Sequence, residues 1–491
     1  MSVWLLSIEA LDPLGQPETL RFATGEYRDP AAHRWIPRIQ QPGLYRAGFF
    51  AGDLINVSRS GYGDTVLINA DGGINWLAGY ATDGREAVLS NADGGTVTEV
   101  FTGTVSRVSF DGRLVRVRLR DPVELLQQPH PNNRYAGDNV LPDGLEGTGD
   151  DIAGTLKPRV YGEVRNAAPT LVNSAKLIYQ VSDQACTVTA VYDNGVALDY
   201  DGEYVDLDEL EGTPPDPGQW QDWEPPNGKW RRINGYIRLG DSPAGQITVD
   251  ADAPLAGAGD VLEQIAIEAG AAVGDVSALN TRGAIRLWVT NETTTAELLD
   301  QIVTSVGGWW RIDSSNTVQA GLLAEPGAAV LTLHDHQIIS ISRDATGAGS
   351  NGLPVHRVTW RCDRIETTQT DLSGAVSESR KSRLAKQYRE TEASDSAVLD
   401  RHPLASEISV DSRLASRSAG QQAATDVLTL LSPRRDSLSV EARVLDAASL
   451  AIGDTVRVVT PRLGYDNGRD LLVTVRTLNA ERNRLTLNLW G

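Results

Sequence analysis

Short apolar runs separated by turn residues fill the first 127 residues and predict β-strands, at residues 3–8, 49–57 and 64–68. The clearest pattern is a hairpin over residues 104–120, in which Asp111-Gly112 supplies the turn. In its second strand Val115, Val117 and Leu119 alternate with three arginines, so one face of the strand is predicted to be core.

The alternating arginines are Arg116, Arg118 and Arg120. A half-buried strand ordinarily carries charge on its solvated face, and that interpretation covers all three side chains. The alternative is that this polar strand face contacts an acidic partner surface.

Residues 128–157 are rich in Pro, Gly, Asn and Asp and predict a long irregular connection. A second β region follows to about residue 250, with predicted strands at 177–181, 186–192 and 246–249 and a hairpin turn at Asn194-Gly195. Inside it, residues 212–230 hold five prolines together with Trp220, Trp223 and Trp230. This segment is a candidate partner-docking loop, and the alternative is that it folds back on its own domain and hides the indoles.

The apolar period changes to that of helices after residue 254. One helix is predicted from Gly259 to Gly270, and a second begins at Thr294 or Thr295 and stops at Gly307-Gly308. Strands are predicted at 285–289, 309–312 and 317–322, which makes a small α+β unit.

The last region begins with a predicted strand at residues 355–362. The charged stretch 363–400 that follows has few apolar residues and is expected to be a long exposed arm or a segment that is disordered until bound. A helix at 418–431 and four strands, at 438–444, 455–459, 471–478 and 485–490, are predicted to complete a terminal barrel or sandwich, with a hairpin turn at Asp466-Asn467-Gly468.

These elements predict a mainly β, multidomain chain with an α+β insert. The expected division is an N-terminal β-barrel with a long connection (1–157), a β-rich domain (158–253), a small α+β domain (254–345), and a strand, arm, helix and C-terminal β-barrel (346–491). Glycine is frequent (47) and phenylalanine rare (5) in the 491 residues, in agreement with a β-rich chain.

The formal net charge of −20 is opposite in sign to that of a nonspecific nucleic-acid binder, which needs Lys and Arg to neutralise phosphates. The N-terminus has no basic stretch or long apolar core of a signal peptide, and no apolar run approaches the roughly 20 residues that span a bilayer. Synthesis in a cytoplasm without a membrane segment is therefore expected.

Motifs for catalysis and cofactors were sought and not found. The chain has no Gly-x-Ser-x-Gly and no phosphate-binding loop, and acidic pairs such as Asp206 and Asp208 are expected by chance among 65 acidic residues. His334-Asp335-His336 is the one histidine cluster; it is either the start of a metal site or, as we favour, a polar strand end. Cys186 and Cys362 are interpreted as free core thiols. Taken together, these motifs predict no enzyme activity, no cofactor and no metal.

Three segments resemble siphophage tail-tip hub proteins. The first is Leu450-Ala-Ile-Gly-Asp-Thr-Val-Arg-Val with the strands that follow to Gly491. The second is Gly43-Leu-Tyr-Arg with Gly61-Tyr-Gly-Asp and Ile68-Asn-Ala-Asp-Gly-Gly-Ile-Asn-Trp76, followed by Leu77-Ala-Gly-Tyr-Ala-Thr-Asp-Gly-Arg85. The third is Lys157-Pro-Arg-Val-Tyr-Gly-Glu-Val-Arg-Asn166. The resemblance implies a structural baseplate hub in the virion: a homotrimer whose two barrels per subunit form a ring of six between a sixfold tail and a threefold tip. Implied partners are the distal tail protein, the tape measure protein and a central fibre or spike.

The iron–sulfur cluster that hubs of gene transfer agents can carry is not implied, because two cysteines cannot supply four thiolates. Two other functions stay open from the residues alone. One is a receptor- or glycan-binding tail protein that uses the three tryptophans, and the other is a cell-wall-degrading enzyme with a site dispersed over loops.

Overall fold

A computed structural model describes residues 3–48, 59–61, 63–93, 95–120, 122–212, 223–312, 317–349, 351–447 and 450–491. The chain is mainly β and multidomain, with a nearly closed barrel-like sheet, a half-barrel and a few helices, so the predicted fold class is confirmed. The predicted strand at residues 49–57 lies outside the described residues.

The N-terminal region forms ten strands: β1 (Val3–Leu11), β2 (Pro17–Ala23), β3 (Ile36–Pro37), β4 (Ile39–Gln41), β5 (Leu44–Gly48), β6 (Arg59–Gly61), β7 (Gly63–Ile68), β8 (Glu86–Asp93), β9 (Thr96–Asp111) and β10 (Leu114–Arg120). Eight of them make one sheet in the order β3-β2-β1-β8-β9-β10-β7-β4. The predicted hairpin is β9–β10, and Val115, Val117 and Leu119 are fully buried as expected. Short 3₁₀ helices follow β7 (Asn75–Gly79) and β10 (Pro122–Gln127).

The two edge strands of this sheet are consecutive in the chain. β3 pairs in parallel with β2 at one edge, and β4 pairs antiparallel with β7 at the other. Only Arg38 separates them, and its guanidinium makes a two-pronged ion pair with Asp71, with N–O distances of 2.6 and 2.7 Å. The segment β3–β4 therefore carries the chain from one edge of the sheet to the other, which curls the sheet toward a barrel.

No strand or helix occupies residues 128–158, which matches the predicted connection. Two five-stranded sheets follow, in the orders β15-β14-β19-β11-β21 and β12-β13-β18-β17-β16. The strands of these sheets are β11 (Arg159–Ala167), β12 (Thr170–Asn173), β13 (Ile178–Gln180), β14 (Thr187–Asp193), β15 (Val196–Ala197), β16 (Asp199–Glu203), β17 (Lys229–Ile233), β18 (Tyr236–Leu239), β19 (Ile247–Asp252) and β21 (Arg286–Val289). A short helix, α1 (Leu207–Glu211), follows β16. Residues of both sheets share one apolar core, as in a sandwich.

The α+β region contains α2 (Ala258–Glu268), β20 (Ala272–Val273), a 3₁₀ helix (Ser277–Arg282), β21 (Arg286–Val289), α3 (Thr295–Val306), β22 (Gly308–Ile312) and β23 (Thr317–Leu322). Both predicted helices are confirmed. α3 begins with a capping box between Thr294 and Glu297 and ends at Gly307, whose φ of 68° is in the left-handed region that glycine tolerates.

The last region contains β24 (Leu331–His334), a 3₁₀ helix (Asp335–Gln337), β25 (Ile338–Ala345), β26 (Val355–Cys362), α4 (Glu378–Leu384), β27 (Arg389–Ser394), α5 (Ser396–Arg401), β28 (Ser406–Asp411), α6 (Arg417–Leu431), β29 (Ser437–Arg443), α7 (Val444–Ala447), β30 (Thr455–Thr460), a 3₁₀ helix (Arg462–Gly464), β31 (Tyr465–Asn479) and β32 (Arg484–Trp490). The helix α6 packs on the three-stranded sheet β27-β26-β28 and shares a core with α2 and α3.

The C-terminal sheet repeats the edge arrangement of the N-terminal one. Its order is β24-β30-β31-β32-β29-β25, and the edge strands β24 and β25 are again consecutive, joined by residues 335–337. β24 pairs in parallel with β30, while β25 pairs antiparallel with β29. Both ends of the chain thus use one segment that pairs in parallel at one edge and antiparallel at the other.

The four-domain division stays a prediction, because several elements pair across its boundaries. β21, from residues 254–345, adds to the sheet that β11 begins. The core around α2 and α3 also includes Val358 and Trp360 of β26.

The segment 363–400 is not an exposed or disordered arm, and that expectation is wrong. The Asn166 amide donates to the Thr367 carbonyl oxygen (2.6 Å), and the Arg380 guanidinium lies 3.9 Å from the centre of the Tyr192 ring. Gln369 is buried between Asn166 and Gln246. These polar contacts hold the segment on the sandwich, and a pattern of apolar residues does not reveal them.

The predicted hairpin turn at Asp466-Asn467-Gly468 is also wrong. These residues lie inside β31, and the turn is formed by residues 461–464. Val458 pairs with Arg469 and Thr460 with Tyr465, so three residues of β31 stand opposite one of β30. The Asn-Gly pair therefore builds a β-bulge, where Gly468 takes the positive φ of 83°.

The inward register predicted for the last strand is confirmed, because Leu487 and Leu489 are fully buried. Replacing Leu487 by Ala is expected to lower the free energy of unfolding by about 2–5 kcal/mol, since it leaves a cavity in the barrel core. Leu14→Ala is the matched control, because Leu14 is 85% exposed. Equal stability of the two variants in urea denaturation would contradict the register.

Candidate assembly interface

The strands β5 and β6 connect the two end sheets. They lie in the N-terminal part of the sequence, but they are hydrogen-bonded to the C-terminal sheet. β5 pairs antiparallel with β31 over five residues, from Leu44–Asn479 to Gly48–Val475. β6 pairs with β5 on its other side. One apolar core accordingly contains buried residues from both ends of the chain, for example Leu89 and Leu487.

Tyr45 anchors this junction. Its ring stacks on Phe101 with centroids 4.4 Å apart, and its hydroxyl donates to the Pro42 carbonyl oxygen (3.1 Å) and lies 3.0 Å from the Thr65 hydroxyl. Burial raises the pKa of Tyr45, so the phenol stays neutral.

Arg476 of the C-terminal strand β31 reaches the N-terminal sheet at this junction. Its Nη1 donates to the Val100 carbonyl oxygen of β9 at 3.0 Å. Burial lowers the pKa of this guanidinium to about 10, so Arg476 still carries its charge at neutral pH. The junction therefore holds a charged hydrogen bond between the two ends of the chain.

The arginine row of β10 lies where the sequence places it. Arg118 is exposed, while Arg116 and Arg120 are half-buried. The Arg120 Nε donates to the Thr104 hydroxyl (3.1 Å), and its Nη1 lies 3.6 Å from Glu124. Arg118 stands opposite Asp64 and Arg107 in the register. Contact of this face with an acidic partner stays a prediction.

The three tryptophans are not brought together. Trp220 lies outside the described residues. Trp223 is half-buried, and its carbonyl oxygen accepts a hydrogen bond from Tyr204 (2.9 Å). Trp230 is 1% exposed in the sandwich core, where its Nε1 donates to the Leu198 carbonyl oxygen. The Trp230 indole is therefore internal to the chain, and a docking role stays a prediction for Trp220 and Trp223.

A buried charged network, which sequence analysis missed, links the connection 128–157 to the sandwich and to α2. Arg159 ion-pairs with Asp183 and with Glu268, the latter at 2.8 Å. The Tyr161 hydroxyl donates to Glu268 (3.2 Å), and His130 lies 2.6 Å from that hydroxyl. The signal in the sequence was a charged residue, Arg159, at the start of an apolar strand, because buried arginines require partners.

The Glu268 carboxylate accepts most of the hydrogen bonds in this network. Burial alone would raise its pKa, but hydrogen bonds from His130 and Gln264 and the charge of Arg159 outweigh that effect and lower the pKa to about 2. The carboxylate is therefore ionised throughout the ordinary pH range and ties α2 to the sandwich.

The chemistry-bearing residues are dispersed. Within the described ranges, no three His, Cys, Asp or Glu side chains are grouped so as to hold a metal ion. The rings of His334 and His336 stack 5.9 Å apart, and Asp335 between them accepts from Thr460. Cys186 and Cys362 are free thiols, and burial raises the pKa of Cys186 to about 12. Over the same ranges, none of the helices has the length and apolar character to cross a bilayer.

No protein-family model matches this chain, and no curated protein matches it in sequence. The solved structures that this chain matches include phage tail and baseplate proteins and a type VI secretion component, each with a TM-score below 0.5. A tail protein from Neisseria meningitidis is 10% identical with a TM-score of 0.46, covering 99% of this chain and 96% of that one. A 43 kDa prophage tail protein from Shewanella oneidensis is 10% identical with a TM-score of 0.40, covering 99% and 95%. A chain of a gene transfer agent virion is 13% identical with a TM-score of 0.44, covering 75% and 91%.

Glu268 generates a pH prediction. A carboxylate whose pKa is lowered on folding stabilises the fold above its unfolded pKa, near 4.5, and that contribution is lost as the pH falls toward about 2. Glu268→Gln is expected to be less stable than the wild type at neutral pH, with a difference that shrinks over this window. Urea denaturation across the pH range measures it, and Glu263→Gln, exposed on the same helix, is the control. Parallel profiles for the wild type and Glu268→Gln would contradict the role of Glu268.

Proposed function

We propose that this chain is a structural hub subunit of a long-tailed phage tail tip or baseplate, and that it acts by assembly and not by catalysis. The observation that carries the proposal is the pair of end sheets. They come from opposite ends of the chain, use the same edge arrangement and share one core through β5 and β31.

A subunit built in this way presents two β-units side by side, so three copies present six. Closed rings are the usual solution for identical subunits, and six β-units in a threefold ring would match a sixfold tail tube to a threefold tip. The resemblance of the segments 43–76, 157–166 and 450–491 to tail-tip hubs supports the same arrangement.

The proposed location is the virion tail tip, after synthesis in the host cytoplasm. The proposed partners are other copies of this chain, the distal tail protein, the tape measure protein and a central fibre or spike. The net charge of −20 disfavours a lumen that grips DNA, because like charges repel.

The trimer is tested by counting copies. Cryo-electron microscopy of particles that contain this chain is expected to show three copies at the tail tip, with the two end sheets of each copy contributing alternate positions of one ring. Six or more copies per tip, or end sheets that lie apart from the tube, would overturn the hub proposal. A cell-wall-degrading enzyme would instead release fragments from peptidoglycan on incubation.

The tryptophan loop is tested by the double variant Trp220→Ala and Trp223→Ala. If the loop docks on a neighbouring tail-tip subunit, the variant remains soluble and folded but fails to assemble, because the indoles supply contact area at few rotatable bonds. Trp76→Ala is a control, since Trp76 is a partly exposed tryptophan of the N-terminal region. Normal yields of infectious particles from the double variant would exclude docking, and failure to fold would assign the indoles to the chain's own core.

A further inference from the structure

A cleft of about 520 Å³ lies beside the C-terminal sheet and has no part in the junction described above. α5, the end of β25 and the connection from α6 to β29 line it. Its walls are apolar at Pro354, Val398 and Pro433, and it carries three arginines: Arg343, Arg401 and Arg434.

The chain's own carboxylates act on these three arginines to different degrees. Arg434 is paired with the buried Asp436 through two hydrogen bonds of 3.0 and 2.9 Å. Arg343 and Arg401 are exposed and make no ion pair with a carboxylate of the described residues, but the charge of Arg343 helps to lower the pKa of Asp436. Arg401 is therefore the guanidinium of this cleft that is most available to a ligand. No acidic residue lines the cleft in the part of the chain that the structure describes. In a chain of net charge −20, this combination of an apolar wall and exposed guanidinium groups fits a ligand with carboxylates and apolar side chains.

The chain itself exposes a segment of that composition. Residues 199–211 contain seven acidic residues and no Lys or Arg. Asp201 and Glu203 are ion-paired with arginines and a lysine of β17, whereas Asp208 is exposed and makes no ion pair with the described residues. At its centre Val205 is 81% exposed and Leu207 is 41% exposed, and they alternate with the exposed Asp206 and Asp208. The exposed Val205 and Leu207 beside these carboxylates give the segment the mixed apolar and acidic surface that the cleft would accept. No hydrogen bond or ion pair of the described residues joins this segment to the cleft of the same chain.

We infer that in the assembled protein the segment 205–208 of one copy docks into this arginine cleft of a second copy. Asp208 faces Arg401 and Arg343, and Val205 and Leu207 lie on the apolar wall. The inference rests on the proposed homotrimer, and it deepens that proposal by naming the side chains that hold neighbouring copies together.

A charge-swap experiment tests the contact. Self-association of the full chain is measured by analytical ultracentrifugation for the wild type, Arg401→Glu, Asp208→Arg and the variant with both changes. Each single change is expected to weaken association about tenfold or more, because it places like charges together, and the double change is expected to restore it. Asp208 is used in place of Asp206 because the Asp206 side chain caps α1. Arg482→Glu is the matched control and is expected to associate normally, because Arg482 is an exposed arginine outside the cleft, in the turn between β31 and β32.

A crosslink gives a second readout that does not depend on affinity. Asp208→Cys and Arg401→Cys chains, each also carrying Cys186→Ser, are mixed and oxidised. A disulfide-linked dimer formed only in the mixture supports the docking. Cys362 is present in both chains but is buried, so it is not expected to form a crosslink, and a disulfide in either chain alone would indicate nonspecific oxidation.

The outcomes separate the two proposals. A wild type that stays monomeric, in solution and in the particle, overturns both the trimer and the docking. Association that none of the charge changes weakens, with no crosslink, overturns the docking alone and leaves the trimer. Binding of a different tail-tip subunit that Arg401→Glu abolishes, again without the crosslink, would assign the cleft to that subunit and overturn docking between copies.

Discussion

The pairing of β5 with β31 is the constraint on which the arrangement of this molecule depends. Residues 44–48 are close to the N-terminus and residues 475–479 close to the C-terminus, so five ladder pairs bring the ends of a 491-residue chain together. Everything between them must then leave the junction and return to it. Closing so long a loop costs entropy, and the shared apolar core, with Tyr45 and Arg476 at its border, provides the compensating burial.

Local periodicity was enough to predict most of the elements. The strand at 355–362, the helix α3 with a cap at Thr294 or Thr295, and the hairpin β9–β10 were all predicted from residues within a few positions of one another. Each has a one-sided apolar face, and that face fixes both the element and its register. The Asn-Gly pair at 467–468 shows the limit of such signals, because a bulge and a turn make the same demand on backbone φ.

Long-range pairing and polar packing could not be predicted in this way. No sequence pattern near Leu44 predicts that its strand will pair with residues more than 400 positions away. The segment 363–400 is held in place by amide hydrogen bonds and by the contact of Arg380 with the Tyr192 ring. A pattern of hydrophobic residues does not predict either of these contacts. Of the candidate site, the arginine row was predicted in place. The position of Trp230 in the core was one of two alternatives that the sequence left open, since an indole gives the same signal in a docking loop and in a sandwich core.

The edge strands explain why such a molecule suits assembly. An open sheet of this size would offer long unpaired edges and invite uncontrolled pairing. Here the segments β3–β4 and β24–β25 occupy the two edges of their own sheets, and β5 and β6 extend one edge of β31. The edge strands β3, β4 and β24 are only two, three and four residues long, so they leave little backbone for pairing with another copy, and contacts between copies would fall mainly to side chains. Side-chain contacts encode partner and orientation through charge and shape, whereas backbone ladders accept almost any strand. The proposed ring would need selectivity of that kind, because it must close at a fixed number of subunits and then stop growing.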